Sequence, residues 1–131
     1  MTTFVDTSAL FALLDRGDAN HPGAAKAFPR LLRDERLLTH NYVLLESTAL
    51  VHRRLGPAAL RALLEDLVPA LEVAWVDEEL HRAGTSAMLA AVRRRISFVD
   101  WVSFEVMRRQ RVEQAFAFDE DFAAQGFRTI P

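Results

Sequence analysis

The chain has 131 residues and a formal net charge of −2 at pH 7, with 50% hydrophobic and 26% charged residues. This length and composition predict a single globular domain over residues 1–131 and exclude disordered, collagen-like and coiled-coil chains, as well as a strongly basic scaffold that binds nucleic acid by bulk charge. Because the chain contains no cysteine, disulfides, zinc–thiolate sites and thiol nucleophiles are excluded too.

Short apolar strands alternate with helices along the whole sequence. Strands are predicted at Thr3–Asp6, Leu37–His40, Glu72–Val76 and Gln114–Phe118, with a last edge strand at Phe127–Ile130. Helices are predicted at Ala9–Leu14 (capped by Thr7 or Ser8), His21–Arg33, Tyr42–Leu55, Pro57–Leu67, Asp77–Arg93 (capped by Asp77), Phe98–Arg109 and Asp119–Ala124. This order is typical of an α/β fold with a central parallel sheet of four to five short strands, covered by helices on both faces.

Four acidic residues are predicted to lie at one edge of this sheet. Asp6 and Asp119 each end a strand, and parallel strands bring their carboxyl ends to the edge where α/β folds bind ligands. Glu46 lies about one turn into the helix that starts at this edge, on its apolar face, and Asp100 lies near the start of another helix. We therefore expect four carboxylates from four separate elements to converge, with Asp121 as a candidate fifth.

Each acid also has an ordinary structural explanation. Asp6, Asp100 and Asp119 could each cap the helix that follows, because a carboxylate accepts hydrogen bonds from the amides of a first helical turn. Glu46 could pair with Arg53, which lies two turns further along the same helix face. The functional interpretation depends on all four acids lying at the same edge of the sheet. If they have no shared function, a separate structural explanation must hold for each acid, and their common position would be a coincidence.

Convergent carboxylates need a cation or bound protons. Two like charges about 4 Å apart repel by roughly 4 kcal/mol at an effective dielectric of about 20, so such a cluster either takes up protons or binds a metal ion. Oxygen ligands without cysteine or convergent histidine favour a hard ion, Mg²⁺ or Mn²⁺. Water activated by such an ion hydrolyses phosphodiester bonds, which is the chemistry that the cluster predicts.

The chain resembles the PIN-domain ribonucleases and, among them, the VapC-type toxins of toxin–antitoxin pairs. The resemblance covers essentially the full length and rests on four blocks of residues. These are Phe4-Val5-Asp6-Thr7-Ser8-Ala9-Leu10, Asn41-Tyr42-Val43-Leu44-Leu45-Glu46, Ser97-Phe98-Val99-Asp100 with Ser103, and Ala117-Phe118-Asp119-Glu120-Asp121-Phe122 followed by Gly126-Phe127. Each block alone is weak evidence for the family, whereas the order and spacing of the four blocks in a chain of this size are specific for it.

The resemblance implies an activity, a metal and partners. It implies an endoribonuclease that depends on Mg²⁺ or Mn²⁺ and acts on RNA as the toxin of its pair. Its catalytic and metal-binding residues would be the same acids that the sheet edge selects, Asp6, Glu46, Asp100 and Asp119. The resemblance also implies a homodimer and inhibition by a small antitoxin protein.

Two serines and two variable positions refine this expectation. By the same resemblance, Ser8 orients Asp6 or the water on the metal, and Ser103 supports the site similarly; a helix cap and a back-bonded helix serine are the ordinary alternatives. Many relatives carry threonine two positions before the fourth acid, where this chain has Ala117, so a hydroxyl near the site is missing. Relatives also differ in whether the fifth acid binds metal, which makes Asp121 the weaker metal ligand.

A run of three arginines is the best candidate for RNA binding. The run consists of Arg93, Arg94 and Arg95 and lies just before Asp100. Such side chains contact phosphates and position a strand without reading its sequence. The arginines around Arg108 are expected instead to end their helix, where cations favour the helix dipole and the solvent.

The aromatic residues and histidines give weaker indications. Trp75 and Phe116 lie in predicted strands and are expected in the core, whereas Trp101, off the helical stripe of Asp100, is the better candidate for base stacking or a dimer interface. The histidines show no metal-ligand spacing, and positions as loop caps or at the surface explain them. They are His21, His40, His52 and His81.

Two other functions remain open from the sequence. A phosphotransfer α/β domain would also gather acids at a sheet edge, but it usually needs a lysine at a strand end, and Lys26, the only lysine, falls inside a predicted helix. A catalytically silent PIN-fold interaction module would keep the same fold, although an intact quartet argues against it. A dinucleotide-binding module is excluded because no glycine-rich turn follows the first strand.

No targeting segment is evident at the start of the chain. Met1–Asp6 lacks the basic stretch and apolar run of a signal peptide, and no apolar run approaches the roughly 20 residues of a membrane span. We therefore expect a cytoplasmic protein without membrane contact.

Overall fold

The computed structural model of this chain describes residues 1–91 and 95–131. Within these residues the strands are β1 (Thr2–Val5), β2 (Arg36–His40), β3 (Glu72–Ala74), β4 (Gln114–Phe116) and β5 (Arg128–Ile130). The helices are α1 (Thr7–Leu14), α2 (His21–Asp34), α3 (Asn41–Leu55), α4 (Pro57–Ala62), α5 (Glu78–Ala91), α6 (Phe98–Arg109) and α7 (Glu120–Ala124). A π-helical turn (Leu63–Leu67) and a 3₁₀ turn (Val68–Ala70) continue α4, and none of the described helices has the length and apolar character of a membrane span. The predicted end of α5 at Arg93 lies outside the described residues.

The strands form one parallel sheet in the order β3-β2-β1-β4-β5, flanked by helices. β1 is central because it pairs with both β2 and β4, which places Phe4 between Leu38 and Ala115. All three of these residues are fully buried, as expected for strands that are covered on both faces. The predicted α/β fold class with a parallel sheet is confirmed.

At one edge of the sheet the chain passes from strand to helix with little or no loop. β1 is followed by Asp6 and then by α1, and β2 ends at His40 immediately before α3 begins at Asn41. β4 ends shortly before Asp119, which precedes α7. Because these strands are parallel, their carboxyl ends and the first turns of the helices meet at the same edge, which we call the carboxyl edge.

Helix α6 is enclosed by other elements. It packs against α5 and also contacts β2 and α3. Trp101 on α6 is only 5% exposed, and its ring packs edge-on against Phe104, with ring centroids 5.5 Å apart. The prediction that Trp101 stacks on RNA or forms a dimer interface is therefore wrong, because the side chain is part of the core.

The prediction for Trp75 was also wrong, but in the opposite direction, because this side chain is exposed and not buried. It was expected in the core as part of a strand Glu72–Val76, but β3 ends at Ala74 and 73% of the Trp75 surface is exposed. β3 is a three-residue strand at the end of the sheet, so the chain leaves the sheet before Trp75. Phe116 is fully buried, as expected, although β4 also ends earlier than predicted.

The contact between α5 and α6 depends on Gly84. A Cβ atom at this position would lie 2.7 Å from Cγ2 of Val102 and 3.2 Å from the ring of Phe98. In an open helix, replacing glycine by alanine stabilises by up to about 1 kcal/mol, but overpacking a filled core costs about 1–3 kcal/mol. We expect Gly84→Ala to lower the free energy of unfolding by about 1–2 kcal/mol, measured by urea denaturation.

Two further variants separate crowding from backbone effects. Adding Val102→Ala to Gly84→Ala is expected to recover part of the loss, because it removes the methyl group that the new Cβ meets. Gly23→Ala in α2 is the matched control, since its Cβ would make only an ordinary 3.4 Å contact with Pro131. Equal stability effects of Gly23→Ala and Gly84→Ala would contradict the packing explanation.

Candidate metal centre

Asp6 lies at the end of β1 and is almost fully buried. Its carboxylate Oδ2 accepts hydrogen bonds from the backbone amide of Ser8 (3.1 Å) and from the Ser8 hydroxyl (2.6 Å). Asp6, and not the predicted Thr7 or Ser8, is therefore the N-cap of α1. Its backbone amide extends the sheet by donating to the carbonyl of Phe116 on β4 (3.1 Å), so the backbone on both sides of Asp6 is fixed.

Asp119 and Asp100 reach the carboxyl edge from different elements. Asp119 caps α7, since its Oδ1 accepts from the amide of Asp121 at 2.9 Å. Asp100 lies in the first turn of α6 but does not cap it, because the cap is Ser97, whose Oγ accepts from the Asp100 amide at 3.1 Å. Capping and a functional role are thus compatible for Asp6 and Asp119, whereas capping does not explain Asp100.

Glu46 lies one turn into α3 and is half-buried. The alternative that Glu46 pairs with Arg53 is wrong, because Arg53 is exposed and no salt bridge joins the two side chains. Nor does Glu46 form a salt bridge with any other residue in the part of the chain that the structure describes.

The four carboxylates share one electrostatic environment. Burial raises the pKa of Asp6 to about 6; the two hydrogen bonds from Ser8 lower it, and the charges of Asp119 and Glu46 raise it again. The pKa of Asp100 is raised to about 8, first by burial and then by the charges of Asp6 and Asp119, a hydrogen bond with Asp119 and the charge of Glu46. Burial accounts for most of each shift, and the charges of the other acids add to it, so the four predicted residues lie near enough to influence one another.

Two of these carboxylates, together with that of Asp121, have the spacing of a metal site. Asp100, Asp119 and Asp121 each offer an oxygen atom, and these oxygens lie within 4.8 Å of one another. Oxygens that coordinate one Mg²⁺ at about 2.0–2.1 Å are at most about 4.2 Å apart, so small side-chain shifts would bring them into coordination. The all-oxygen donors fit a hard divalent cation, and Asp121 belongs to this cluster.

Comparison with known proteins identifies the family. The sequence model of the PIN domain matches residues 3–128. This chain belongs to the PIN domain family. The 23S rRNA-specific endonuclease VapC20 of Mycobacterium tuberculosis is 38% identical to this PIN domain over 125 residues, which cover 95% of the chain and 94% of the relative.

Solved structures agree with the family assignment. The crystal structure of Mycobacterium tuberculosis VapC20, described as a sarcin–ricin loop cleaving toxin, superposes with a TM-score of 0.84 at 36% identity and covers 96% of both chains. VapBC2 from Rickettsia felis has a TM-score of 0.73 at 11% identity, covering 98% of this chain and 97% of the other, and shows the same fold. The resemblance to VapC-type PIN domains, noted from the sequence, is confirmed.

The two serines of the sequence motifs have different surroundings. The Ser8 hydroxyl donates to Asp6 and accepts from the backbone amide of Phe118 (3.0 Å), so it connects α1 with the segment leading to Asp119. Ser103 is fully buried on α6 and donates to the carbonyl of Val99 (2.9 Å), one turn earlier on the same helix. Ser8 therefore contacts an acid of the site directly, whereas Ser103 is bonded within its helix and to His40 (2.8 Å).

Replacing Ser8 by alanine removes the hydrogen bond that orients Asp6. If the site binds Mn²⁺ and cleaves RNA, as the sequence resemblance implies, we expect Ser8→Ala to reduce cleavage about 10-fold and to weaken Mn²⁺ binding by a similar factor, as is typical when a group that orients a metal ligand is lost. Initial rates with a fluorogenic RNA and titration with Mn²⁺ would measure both effects. Thr85→Ala is the control, because the exposed Thr85 hydroxyl donates to the carbonyl of His81 on its own helix (3.1 Å) and has no other hydrogen-bond partner among the described residues. Equal losses in both variants would contradict the role of Ser8.

One residue near the site was missed by sequence reasoning. His40 was expected to be a loop cap or a surface residue, but its side chain is fully buried, and its ring caps α3. Its position in the sequence could have indicated a role near the site, because His40 ends β2 at the carboxyl edge, directly before the helix that carries Glu46.

The structure locates part of the predicted RNA-binding run. Arg95 is exposed and lines a surface pocket of about 250 Å³ together with Asp119, Glu120 and Asp121. The predictions for Arg93 and Arg94 concern residues outside the described ranges.

Two other sequence positions are also accounted for. Arg108 is exposed at the end of α6 and donates to Gln125 (2.7 Å), as expected of a surface cation. Ala117, where many relatives carry threonine, is buried, and its amide donates to the carbonyl of Ile130 (3.3 Å).

Proposed function

We propose that this PIN domain is a metal-dependent endoribonuclease and the toxin of a toxin–antitoxin pair. The observation that carries the proposal is the convergence of Asp6, Glu46, Asp100 and Asp119. Burial raises the pKa of Asp6 and of Asp100, and the charges of the neighbouring acids add to both shifts. Burying repelling carboxylates destabilises a fold, and a bound Mg²⁺ or Mn²⁺ relieves that cost. The family membership and the similarity to a known endonuclease support the same conclusion.

The acids would divide the chemistry between them. Asp100 and Asp119, with Asp121 as a further ligand, have the spacing to hold the cation. Asp6 is held in place by its hydrogen bond from Ser8. Its negative charge acts on Asp100 and would help to attract the cation. Glu46 is half-buried, whereas Asp6 and Asp100 are buried, so its carboxylate is accessible to water and can accept the proton of an attacking water molecule. The bound cation would supply Lewis-acid activation of water and of the scissile phosphate.

We propose 23S rRNA as the substrate. The relative that is 38% identical over nearly its whole length is a 23S rRNA-specific endonuclease, and its structure is described as that of a sarcin–ricin loop cleaving toxin. Exposed Arg95 beside Asp119 and Asp121 is positioned to contact an RNA phosphate next to the cation. Arg93 and Arg94 stay RNA-binding candidates on the basis of the sequence alone. Phosphate contacts of this kind position the RNA, while loop shape provides the selection.

A cleavage assay with ribosomes tests this function. Purified protein is incubated with intact ribosomes and with a 23S rRNA fragment, with Mn²⁺ or with EDTA, and products are mapped by primer extension. We expect one dominant cut that requires the metal and is lost in Asp6→Asn. No cleavage of any RNA by a folded, metal-loaded protein would favour the catalytically silent interaction module, and cleavage unchanged in Asp6→Asn would indicate a contaminating nuclease.

We also propose that the active form is a cytoplasmic homodimer. Three large apolar side chains are exposed on helices α3 and α5: Leu45 (71%), Met88 (40%) and Leu89 (77%). The two helices are joined by a hydrogen bond between the Tyr42 hydroxyl and His81 (2.6 Å), and a second copy would cover their apolar side chains. Light scattering of the wild type and of Leu45→Glu tests this, with a dimer expected only for the wild type.

A small antitoxin is the proposed inhibitor. Several structures with this fold are of toxin–antitoxin complexes, such as VapBC2, and α4 presents an apolar groove lined by Pro57, Ala58, Leu60, Arg61, Leu64 and Glu65. We propose that an apolar antitoxin segment binds this groove. Co-purification with the product of the neighbouring gene is expected for the wild type and should be lost in Leu64→Glu.

A further inference from the structure

His40 connects three elements at the carboxyl edge. It is the last residue of β2, and its ring lies near Phe4 of β1, with centroids 5.7 Å apart. Its Nδ1 accepts hydrogen bonds from the backbone amides of Tyr42 (3.2 Å) and Val43 (3.3 Å) in the first turn of α3. The Nε2 atom lies 2.8 Å from Oγ of Ser103 on α6. One side chain therefore contacts the start of α3 and the first turns of α6.

The hydrogen bonds fix the protonation of the ring. Because Nδ1 accepts from two amides, it carries no hydrogen, and the single proton of the neutral ring is on Nε2. Ser103 donates its own hydroxyl hydrogen to the carbonyl of Val99 (2.9 Å), so its oxygen accepts from Nε2 of His40. Burial lowers the pKa of His40 to about 4, which keeps the ring in this neutral form at the pH of a cell.

The connection joins the helices of two site acids. α3 carries Glu46, and α6 carries Asp100 one turn before Ser103. In the described part of the chain, the hydrogen bonds that link α6 to the cap of α3 both come from His40, one to the Ser103 hydroxyl and one to the backbone of Val99. The charge of Glu46 acts on Asp100 and repels it, so the two helices need a contact that holds these acids close together.

We propose that His40 is a positioning residue that sets the separation of Glu46 and Asp100 through its hydrogen bond with Ser103, and thereby tunes the affinity of the site for a divalent cation. The inference rests on the proposed metal-dependent function. A short cap such as serine would satisfy the amides of Tyr42 and Val43 equally well. Only a side chain that also donates from its far end reaches Ser103, and this second contact is what distinguishes His40 from an ordinary cap.

Metal titration of three variants tests the role of His40. His40→Ser keeps a capping oxygen and loses the contact with α6, and Ser103→Ala removes the same contact from the other side. Thr3→Val is the matched control, because the buried Thr3 hydroxyl accepts a hydrogen bond from Gln114 (2.7 Å) at the amino end of β1, away from the carboxyl edge. The Mn²⁺ dissociation constant is measured by calorimetry and the melting temperature by circular dichroism.

We expect the dissociation constant for Mn²⁺ to rise about 10-fold in His40→Ser and in Ser103→Ala, with no further rise in the double variant. Thr3→Val should lower the melting temperature to a similar extent and leave Mn²⁺ affinity unchanged within about two-fold. Histidine ¹⁵N chemical shifts of the wild type should show His40 protonated on Nε2 alone from pH 6 to 8.

Several outcomes would overturn the inference. Unchanged Mn²⁺ affinity in Ser103→Ala, which only loses one hydroxyl, would show that the contact is structural and no more. A proton on Nδ1 of His40 would contradict the direction of the hydrogen bonds. If the wild-type protein and the variants all bind Mn²⁺ with the same affinity, only the role of His40 is overturned. If the wild-type protein binds no divalent cation, the proposed function is overturned as well.

Discussion

Replacing Asp100 by asparagine is expected to stabilise the metal-free protein while it abolishes RNA cleavage. The Asp100 carboxyl is 7% exposed and its pKa is raised to about 8, so its ionised form is unfavourable in the folded protein at neutral pH. Asparagine has nearly the same shape and no charge, and we expect the free energy of unfolding at pH 8 to rise by about 1–3 kcal/mol. If Asp100 is a metal ligand, as we propose, its loss should reduce cleavage by at least about 10²–10³-fold.

Glu105→Gln provides the control for this experiment. Glu105 lies on the same helix and its substitution changes the net charge equally, but no shift in the pKa of Asp6 or Asp100 arises from it. We expect Glu105→Gln to leave both cleavage and stability nearly unchanged. If Asp100→Asn is less stable than the wild type in EDTA, the Asp100 carboxylate is stabilised by the protein without a cation. The proposal of a metal site at Asp100 would then be wrong.

The metal-free protein is expected to lose stability between pH 6.5 and 8, and Mn²⁺ is expected to restore it. Asp6 and Asp100 have folded-state pKa values of about 6 and about 8, both above the value of 3.8 for an ordinary aspartate. A folded state that binds more protons is stabilised at low pH, and this stability is lost as the pH rises through the folded-state values. Thermal unfolding in EDTA should therefore show a melting temperature that falls across this range.

The lower limit of the pH range avoids an opposing effect from His40. Its pKa falls from 6.5 to about 4 on folding, so its contribution to stability is lost as the pH falls below 6.5, and above that value it is neutral in both states. This leaves Asp100, whose pKa is about 8, as the buried acid that loses its proton between pH 6.5 and 8, because Asp6, with a pKa of about 6, is already mostly ionised at pH 6.5.

Metal binding should reverse the loss most strongly at high pH. At 100 times its dissociation constant, Mn²⁺ stabilises by about 2.7 kcal/mol, or roughly 10 °C for a domain of this size. The rise should be much smaller at pH 5.5, where protons compete for the same carboxylates. Asp100→Asn should show a shallower dependence on pH, and an equal Mn²⁺ effect at pH 5.5 and 8 in the wild type would contradict a carboxylate site.

The positions of the acids were predictable because they depend on the order of elements. Asp6 and Asp119 follow strands that are apolar enough to be recognised. Asp100 lies in the first turn of a helix that begins near the same edge, and Glu46 lies one turn into another such helix. In a parallel sheet this order alone fixes which edge the residues share. The fold class, and the sheet edge at which the four acids were expected, therefore followed from the sequence.

The two tryptophans and His40 were not predictable, because their surroundings come from distant parts of the chain. Trp75 is exposed because β3 ends one residue earlier, at the outer end of the sheet, and Trp101 is buried because α6 is enclosed by α5, α3 and β2. His40 is paired with Ser103, 63 positions away. Hydrophobic periodicity describes one element at a time and gives no information on what packs against it.

The sequence by itself determined a parallel α/β domain of the PIN family with an acidic edge, because strand and helix order, and the acids that follow them, are local features of the chain. Only the tertiary structure decided how strongly those acids interact. Burial and mutual repulsion raise the pKa of Asp100, and the hydrogen bond from His40 to Ser103 spans two helices. Both effects depend on distances between elements, which arise when the helices pack on the sheet and are not encoded at any single position.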